Sequence, residues 1–347
     1  MKRLFIDGLG GMAQGLFATL IIGTIIQQIG TFIGGGTGDV IFLIGKTAAA
    51  LTGAGIGAGV ARKLDAGHLV IVSAAVVGMI GAFASGIRSG SLFVDGSMVL
   101  SGPGEPLGAF VAAYVAIELG VLISGKTKLD IILTPLACIG VGSAVGLFVG
   151  PPISAFMAWL GSLINWGTEQ QPFLMGVVVS VLMGMILTLP ISSAALGVIL
   201  NLSGLAAGAA TVGCCCNMIG FAVASWRENK FSGFLAQGIG TSMLQVPNIV
   251  RHPQIWIPPI LSSAILGPVS TMLFQMTNNA TGSGMGTAGL VGPIMTWQVM
   301  TQTEAGTIVL FKIMIIQFIL PAVITLLISE FMRKRRWIHP GDMKLDL

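Results

Sequence analysis

Charge is what this sequence has least of. Of 347 residues only 9% are charged, against 54% hydrophobic, and the mean hydropathy is +0.92. A soluble domain carries roughly 25% charged residues, so the scarcity excludes a water-soluble enzyme and leaves an all-α integral membrane protein in contact with lipid. Cysteine is sparse as well. Cys138 and the run Cys214 to Cys216 lie in apolar stretches, with no CxxC pair and no histidine partner. Three consecutive helical residues cannot all face one metal, so no metal or cofactor is expected and the thiols read as packing groups. No GxxxxGK[ST] phosphate loop occurs among the 50 glycines. Runs such as GAGIGAG at 53–59 give small faces that let helix backbones approach closely. A small-residue cleavage site is also lacking after Met1-Lys2-Arg3, so the first apolar run is expected to stay as a span.

The net charge of +4 is no nucleic-acid signal, because the basic residues sit in short loops and at the tail. A span needs about 20 apolar residues. Ten fall near 11–33, 40–61, 69–87, 106–124, 129–149, 152–167, 172–200, 203–226, 254–275 and 306–332. Segment 152–167 is short and either spans or lies flat in the interface; 172–200 is long, with a kink expected at Leu189-Pro190. Ten spans put Lys2, Arg3, Arg62, Lys63, Lys126, Lys128, Arg227, Lys230, Arg251 and the basic run 333–336 on one side, with Arg88 the exception. That side is expected to be cytoplasmic, as are both termini.

A weak internal repeat is visible. VVGMIGAFASGIRSG (76–90) lies over CCNMIGFAVASWREN (215–229) without a gap, setting Arg88 over Arg227. Downstream, EPLGAFVAAYVAIELG (105–120) lies over HPQIWIPPILSSAILG (252–267). The chain therefore divides into five-span repeats, 1–150 and 151–347, inverted in the membrane. Each holds a polar, glycine-rich piece between its paired segments, 91–104 and 231–251, and such broken elements at matching positions point to a transporter's binding site. Backbone of this kind is tolerated at membrane depth only when buried in protein or lining a cavity. A third such piece, 277–297, is expected either to dip into the protein or to form a plain loop.

Few residues could carry chemistry. Glu118 lies within a span, where charge is costly, and either handles a proton or pairs with Lys126 or Lys128. Lys46 and Lys312 lie in or near spans and can snorkel to the interface. Glu105 precedes a helix start and either caps it or works with its repeat counterpart His252 on hydroxyls and protons. Asn217, Gln237, Thr241, Ser242, Gln245 and Asn248 supply paired donors and acceptors suited to a polyhydroxylated solute, with Asn278, Asn279 and Thr281 as weaker candidates. The competing role for buried amides is to hold helices together.

The stretches QGIGTSMLQVPNIVRHPQIWIPP, NNATGSGMGTAGLVGP, KTKLDIILTPL (126–136), GPPISAFM (150–157) and TLPISSAALGVIL (188–200) resemble the EIIC-like membrane domains of the bacterial phosphotransferase system, in the branch of the PfoR-type regulator. The resemblance covers nearly the whole chain. It implies a sugar-permease-like homodimer in a bacterial inner membrane. It also implies that an EIIB protein, phosphorylated by EIIA, gives phosphate to the bound sugar, with a buried glutamate and histidine assisting. Glu105, Glu118 and His252 are the stand-ins for those two residues. With only WIHPGDMKLDL past Arg336, EIIA and EIIB are expected to be separate proteins. Three readings follow: a transporter of a small polar solute, a proton- or ion-coupled variant of it, and a PfoR-like sensor without net transport.

Overall fold

The computed structural model describes residues 3–94, 97–100, 102–126 and 128–345. Among the described residues the named elements are helices apart from one minimal hairpin, and the chain divides into two compact units, Met1–Ala158 and Trp159–Leu347.

In the first unit, α1 (Leu9–Ile33) reverses at Gly34 and Gly35, whose φ values of 64° and 62° suit glycine alone, into α2 (Gly35–Ala50). α2 bends by 52° into α3 (Thr52–Lys63). Then come α4 (His68–Ala82), α5 (Ala84–Ser89), the two-residue strands β1 (Phe93–Val94) and β2 (Ser97–Met98), and α6 (Pro106–Ile123). Small residues set the packing. On α3, Gly55 and Gly59 abut Gly15 and Gly11 of α1, while Gly53 and Gly57 abut Gly78 and Ala74 of α4. One glycine-rich helix thus presents two small faces, each with four-residue spacing, and a Cβ at any of these positions would collide with the partner's backbone.

α7 (Asp130–Thr168) runs from the first unit into the second as one helix of 39 residues containing Pro135, Pro151 and Pro152. The separate segments expected at 129–149 and 152–167 are therefore continuous. Proline removes one backbone bond locally, a loss that neighbouring groups in a membrane helix can make good, so two prolines need not end the helix.

The second unit continues with α8 (Pro172–Thr188), α9 (Ser193–Ile199), α10 (Gly204–Ala224), α11 (Trp226–Leu235), α12 (Val246–Arg251), α13 (Pro253–Phe274), α14 (Ala280–Ser283), α15 (Val291–Met300) and α16 (Gly306–Lys334). α10 is its axis: nearly every residue is buried, against α8, α13 and α16. Small residues permit this, Gly213 lying on the backbone of Ser180 and Gly220 on Thr325. The proline expected to kink 172–200 ends α8 instead, with Leu189 extended before Pro190 and α9 a separate short helix.

By length and apolarity, six of the described helices (α1, α6, α7, α10, α13 and α16) can cross a membrane, or seven with the bent α2–α3 pair as one span. The count falls below ten because α7 merges two expected segments and because α4 and α8, at 15 and 17 residues, are short of a full span.

Candidate functional site

Within the second unit, three irregular pieces surround α10, and each carries buried polar side chains. The first follows α8. Thr188 closes that helix and its hydroxyl lies 3.2 Å from Asn217 Oδ1 and 2.8 Å from the Ser242 hydroxyl. Asn217, on α10, is fully buried and fully occupied. Its Oδ1 also accepts from Trp256 Nε1 at 3.0 Å, and its Nδ2 donates to the Gly213 carbonyl at 3.2 Å and Ser263 Oγ at 3.3 Å.

The second piece joins α11 to α12. The helix breaks at Lys230 (φ 52°), widens into a π turn over Ala236–Gly240, and resumes as a 3-10 turn over Ser242–Gln245 that the Thr241 hydroxyl caps by accepting from Met243 N–H. Gln237, Gln245 and Asn248 form a ladder. Gln237 Nε2 donates to Ser225 Oγ, Gln245 Nε2 to Gln237 Oε1 at 2.8 Å, and Asn248 Nδ2 to Gln245 Oε1 at 2.8 Å. The rungs point at the chain's own C-terminal tail: Gln245 also donates to the Met343 carbonyl at 3.0 Å, and Asn248 to that of Lys344 at 2.8 Å. Asn229 clamps the same tail by donating to Met343 O and accepting from Leu345 N–H, both at 2.8 Å. Beneath it, Ile338 and Met343 join a core with Phe221, Ile249, Ile255 and Met332, beside the buried Arg333–Glu228 ion pair at 2.9 Å. His252 belongs to this corner too, its Nδ1 3.6 Å from Asp342 Oδ1.

The third piece, 277–297, folds against α10 and is largely buried. Gly286, Gly289 and Leu290 all have φ between 50° and 60°, and Gly286 sits against Cys214, where a Cβ would not fit. Asn278 is its polar centre. Nδ2 has three acceptors within reach of its two hydrogens, Thr211 Oγ1 at 2.8 Å, Thr296 Oγ1 at 3.0 Å and the Gly292 carbonyl at 3.2 Å, while Oδ1 accepts from Asn279 N–H. Asn279 Oδ1 caps α14 by accepting from Gly282 N–H. Thr296 also accepts from Gln317 Nε2 of α16 at 2.8 Å. Gln317 is absent from the sequence-based candidates, although the rule that selected Glu118, a polar group inside an apolar span, applies equally to this amide in MIIQFI.

In the first unit, Glu105 caps α6, accepting from Leu107 N–H at 3.4 Å, just ahead of the span. It is half-buried, and desolvation raises its pKa to about 7 against the bond that favours its charge. Glu118, 13 residues on and so about 20 Å along the helix, pairs with Arg3 at 3.2 Å rather than with Lys126 or Lys128. The Arg3 guanidinium comes from the chain's first turn, a proximity that sequence spacing does not reveal. Lys312 of α16 likewise pairs with Glu304 at 2.8 Å. Of the 91–104 piece, residues 95, 96 and 101 lie outside the described residues.

What the second unit offers chemically is a set of hydroxyls and carboxamides buried at helix breaks, which can exchange hydrogen bonds with a neutral polyol. No curated protein matches the chain. The model of the family described as "Phosphotransferase system, EIIC" matches residues 6–345, and with nearly every residue covered the chain belongs to the phosphotransferase-system EIIC family of membrane sugar-transport components.

Proposed function

We propose that this chain is the permease through which one sugar crosses a bacterial inner membrane by alternating access, with phosphate delivered to the sugar by separate EIIA and EIIB proteins. The observation that carries this reading is the cluster of polar side chains around α10, where Asn217, Thr188, Ser242, Asn278 and Thr296 are buried and hydrogen-bonded, Ser242 and Asn278 on segments that depart from regular helix. The hydroxyls of Thr188 and Ser242 can each donate or accept, so a sugar hydroxyl can enter that chain without leaving a buried group unpaired. Gln245 and Asn248 would reach a solute only when the tail carbonyls of Met343 and Lys344 withdraw from them, and Gln237 only when Gln245 releases its Oε1. Glu105, Glu118 and His252 remain the candidates for proton handling, and a homodimer the expected assembly.

The ten-span architecture of inverted halves belongs to the same proposal. Both halves pass through the same order of elements in its support. In each, a helix ends at a break (Phe83, Ser225), continues as a shorter helix, enters an irregular piece, and restarts at a non-helical residue followed by proline (Glu105-Pro106, His252-Pro253). One observation favours the second reading, a PfoR-type sensor. The docked tail occupies amides that a solute would otherwise use, which suits a protein that signals by releasing it.

Uptake of a radiolabelled sugar panel by proteoliposomes separates the readings. Transport of one sugar, stimulated by phosphorylated EIIB, is the expected result. Stimulation by a proton gradient alone would make the protein ion-coupled. Binding without uptake would make it a sensor, and neither binding nor uptake would remove the sugar reading.

A further inference from the structure

In the middle of α16, Met314–Ile319 forms a π turn, a feature that in helices often marks a functional position. It carries Gln317, 11 residues and therefore roughly 17 Å from the start of a 29-residue apolar helix long enough to cross a membrane. The side chain is completely buried. Its orientation follows from Thr296, whose single hydroxyl hydrogen is spent on the Gly292 carbonyl at 2.8 Å. With that hydrogen on the Gly292 carbonyl, Thr296 Oγ1 accepts from Gln317 Nε2 at 2.8 Å, which turns Oε1 away from it.

The other polar groups of the cluster are accounted for. Thr211 donates to the Ala207 carbonyl and accepts from Asn278, and both ends of the Asn278 amide are engaged. Gln317 Oε1 is the exception: a buried acceptor with no hydrogen-bond partner among the described residues. Leaving such an atom unpaired costs about 1–3 kcal/mol, a cost that is offset when a ligand supplies the donor. The cluster of Thr211, Asn278, Thr296 and Gln317 contains no carboxylate to balance a cation, so the fitting donor is a neutral hydroxyl.

We infer that Gln317 is a specificity residue whose Oε1 accepts a hydrogen bond from one hydroxyl of the transported sugar, with Thr296 and Asn278 fixing the amide. The inference rests on the sugar reading above and adds the atom that selects among sugars.

The test uses the full-length protein in detergent. Sugar binding is measured for the transported sugar and its monodeoxy analogues, alongside the melting temperature without sugar, for wild type, Gln317→Leu and Gln317→Glu. Wild type should lose at least tenfold in affinity on removal of one particular hydroxyl. Gln317→Leu should bind the parent sugar at least tenfold more weakly, show no further loss with that deoxy analogue, and melt no lower than wild type. Gln317→Glu, neutral in this burial, keeps an acceptor and should restore discrimination. A lower melting temperature or failure to fold in Gln317→Leu would make Gln317 a packing residue and overturn the inference. So would unchanged discrimination in that variant, which means the acceptor meets only water, with the sugar reading left standing. Absence of any sugar binding by wild type would overturn both.

Discussion

At the scale of single residues, the chain places polar atoms where water cannot reach them; the carboxamides of Asn217 and Asn278 find partners there, whereas Gln317 Oε1 and the hydroxyls of Thr325 and Ser329 have none among the described residues. Asn217 uses both lone pairs and both hydrogens; Asn278 does nearly the same from a non-helical turn. Glycine does the complementary work by bringing backbones together. A methyl group on Gly213 would lie 2.6 Å from Ser180 Cα, so Gly213→Ala must push α8 away from α10. Overpacking of this kind costs about 1–3 kcal/mol, and a lowered melting temperature with reduced yield of folded protein is the expected outcome. Glu105 gives a pH prediction. Its pKa is raised from 4.5 to about 7 by burial, so the folded state holds the proton more tightly than the unfolded chain does. Its contribution to stability is complete below pH 4.5 and is lost as pH rises through about 7. Melting curves in detergent should show that decline in wild type and a smaller one in Glu105→Gln; identical profiles would return the decline to other groups.

At the scale of elements, the C-terminal tail is the least anticipated part. Its backbone carbonyls, which have no helical partners past Lys334, are taken up by the side chains of Gln245, Asn248 and Asn229. Ile338 and Met343 anchor it in the core below. Substituting Asn248 by Ala removes the donor to Lys344 and leaves Gln245 Oε1 short of a partner. The expected result is a loss of about 1–3 kcal/mol, accompanied by faster carboxypeptidase release of the last residues. Unchanged protection would mean that the hydrophobic anchor alone holds the tail. The irregular 236–245 piece is explained by this neighbour as much as by its own sequence: its π and 3-10 turns aim Gln237 and Gln245 along one line.

At the scale of the whole molecule, large apolar side chains remain on the outer surface, among them Ile131, Leu136 and Phe148 of α7. In lipid such a surface is solvated, and the interior is then free to be built from small and polar residues. The inverted-half proposal makes a topological prediction. All four cysteines are buried, so background labelling by an impermeant thiol reagent should be low. Ser91→Cys and Lys230→Cys, at exposed positions after the matching breaks, should then be labelled from opposite faces of the membrane. Labelling of both from one face would sink the inversion.

Composition and segment length by themselves determined that the protein is a helical membrane protein and roughly where the long helices α1, α6, α10, α13 and α16 begin and end, since burial in hydrocarbon demands long apolar runs with satisfied backbones. The helix starts after Glu105 and near residue 254 were legible too, and in the structure a non-helical residue precedes proline at each, Glu105-Pro106 and His252-Pro253. Only the tertiary structure decided which polar groups meet. Glu118 pairs with Arg3, more than a hundred residues earlier, and Gln245 with the carbonyl of Met343 near the chain's end. Hydrogen bonds and ion pairs act over a few ångströms, and sequence distance carries no record of which side chains folding brings within that range.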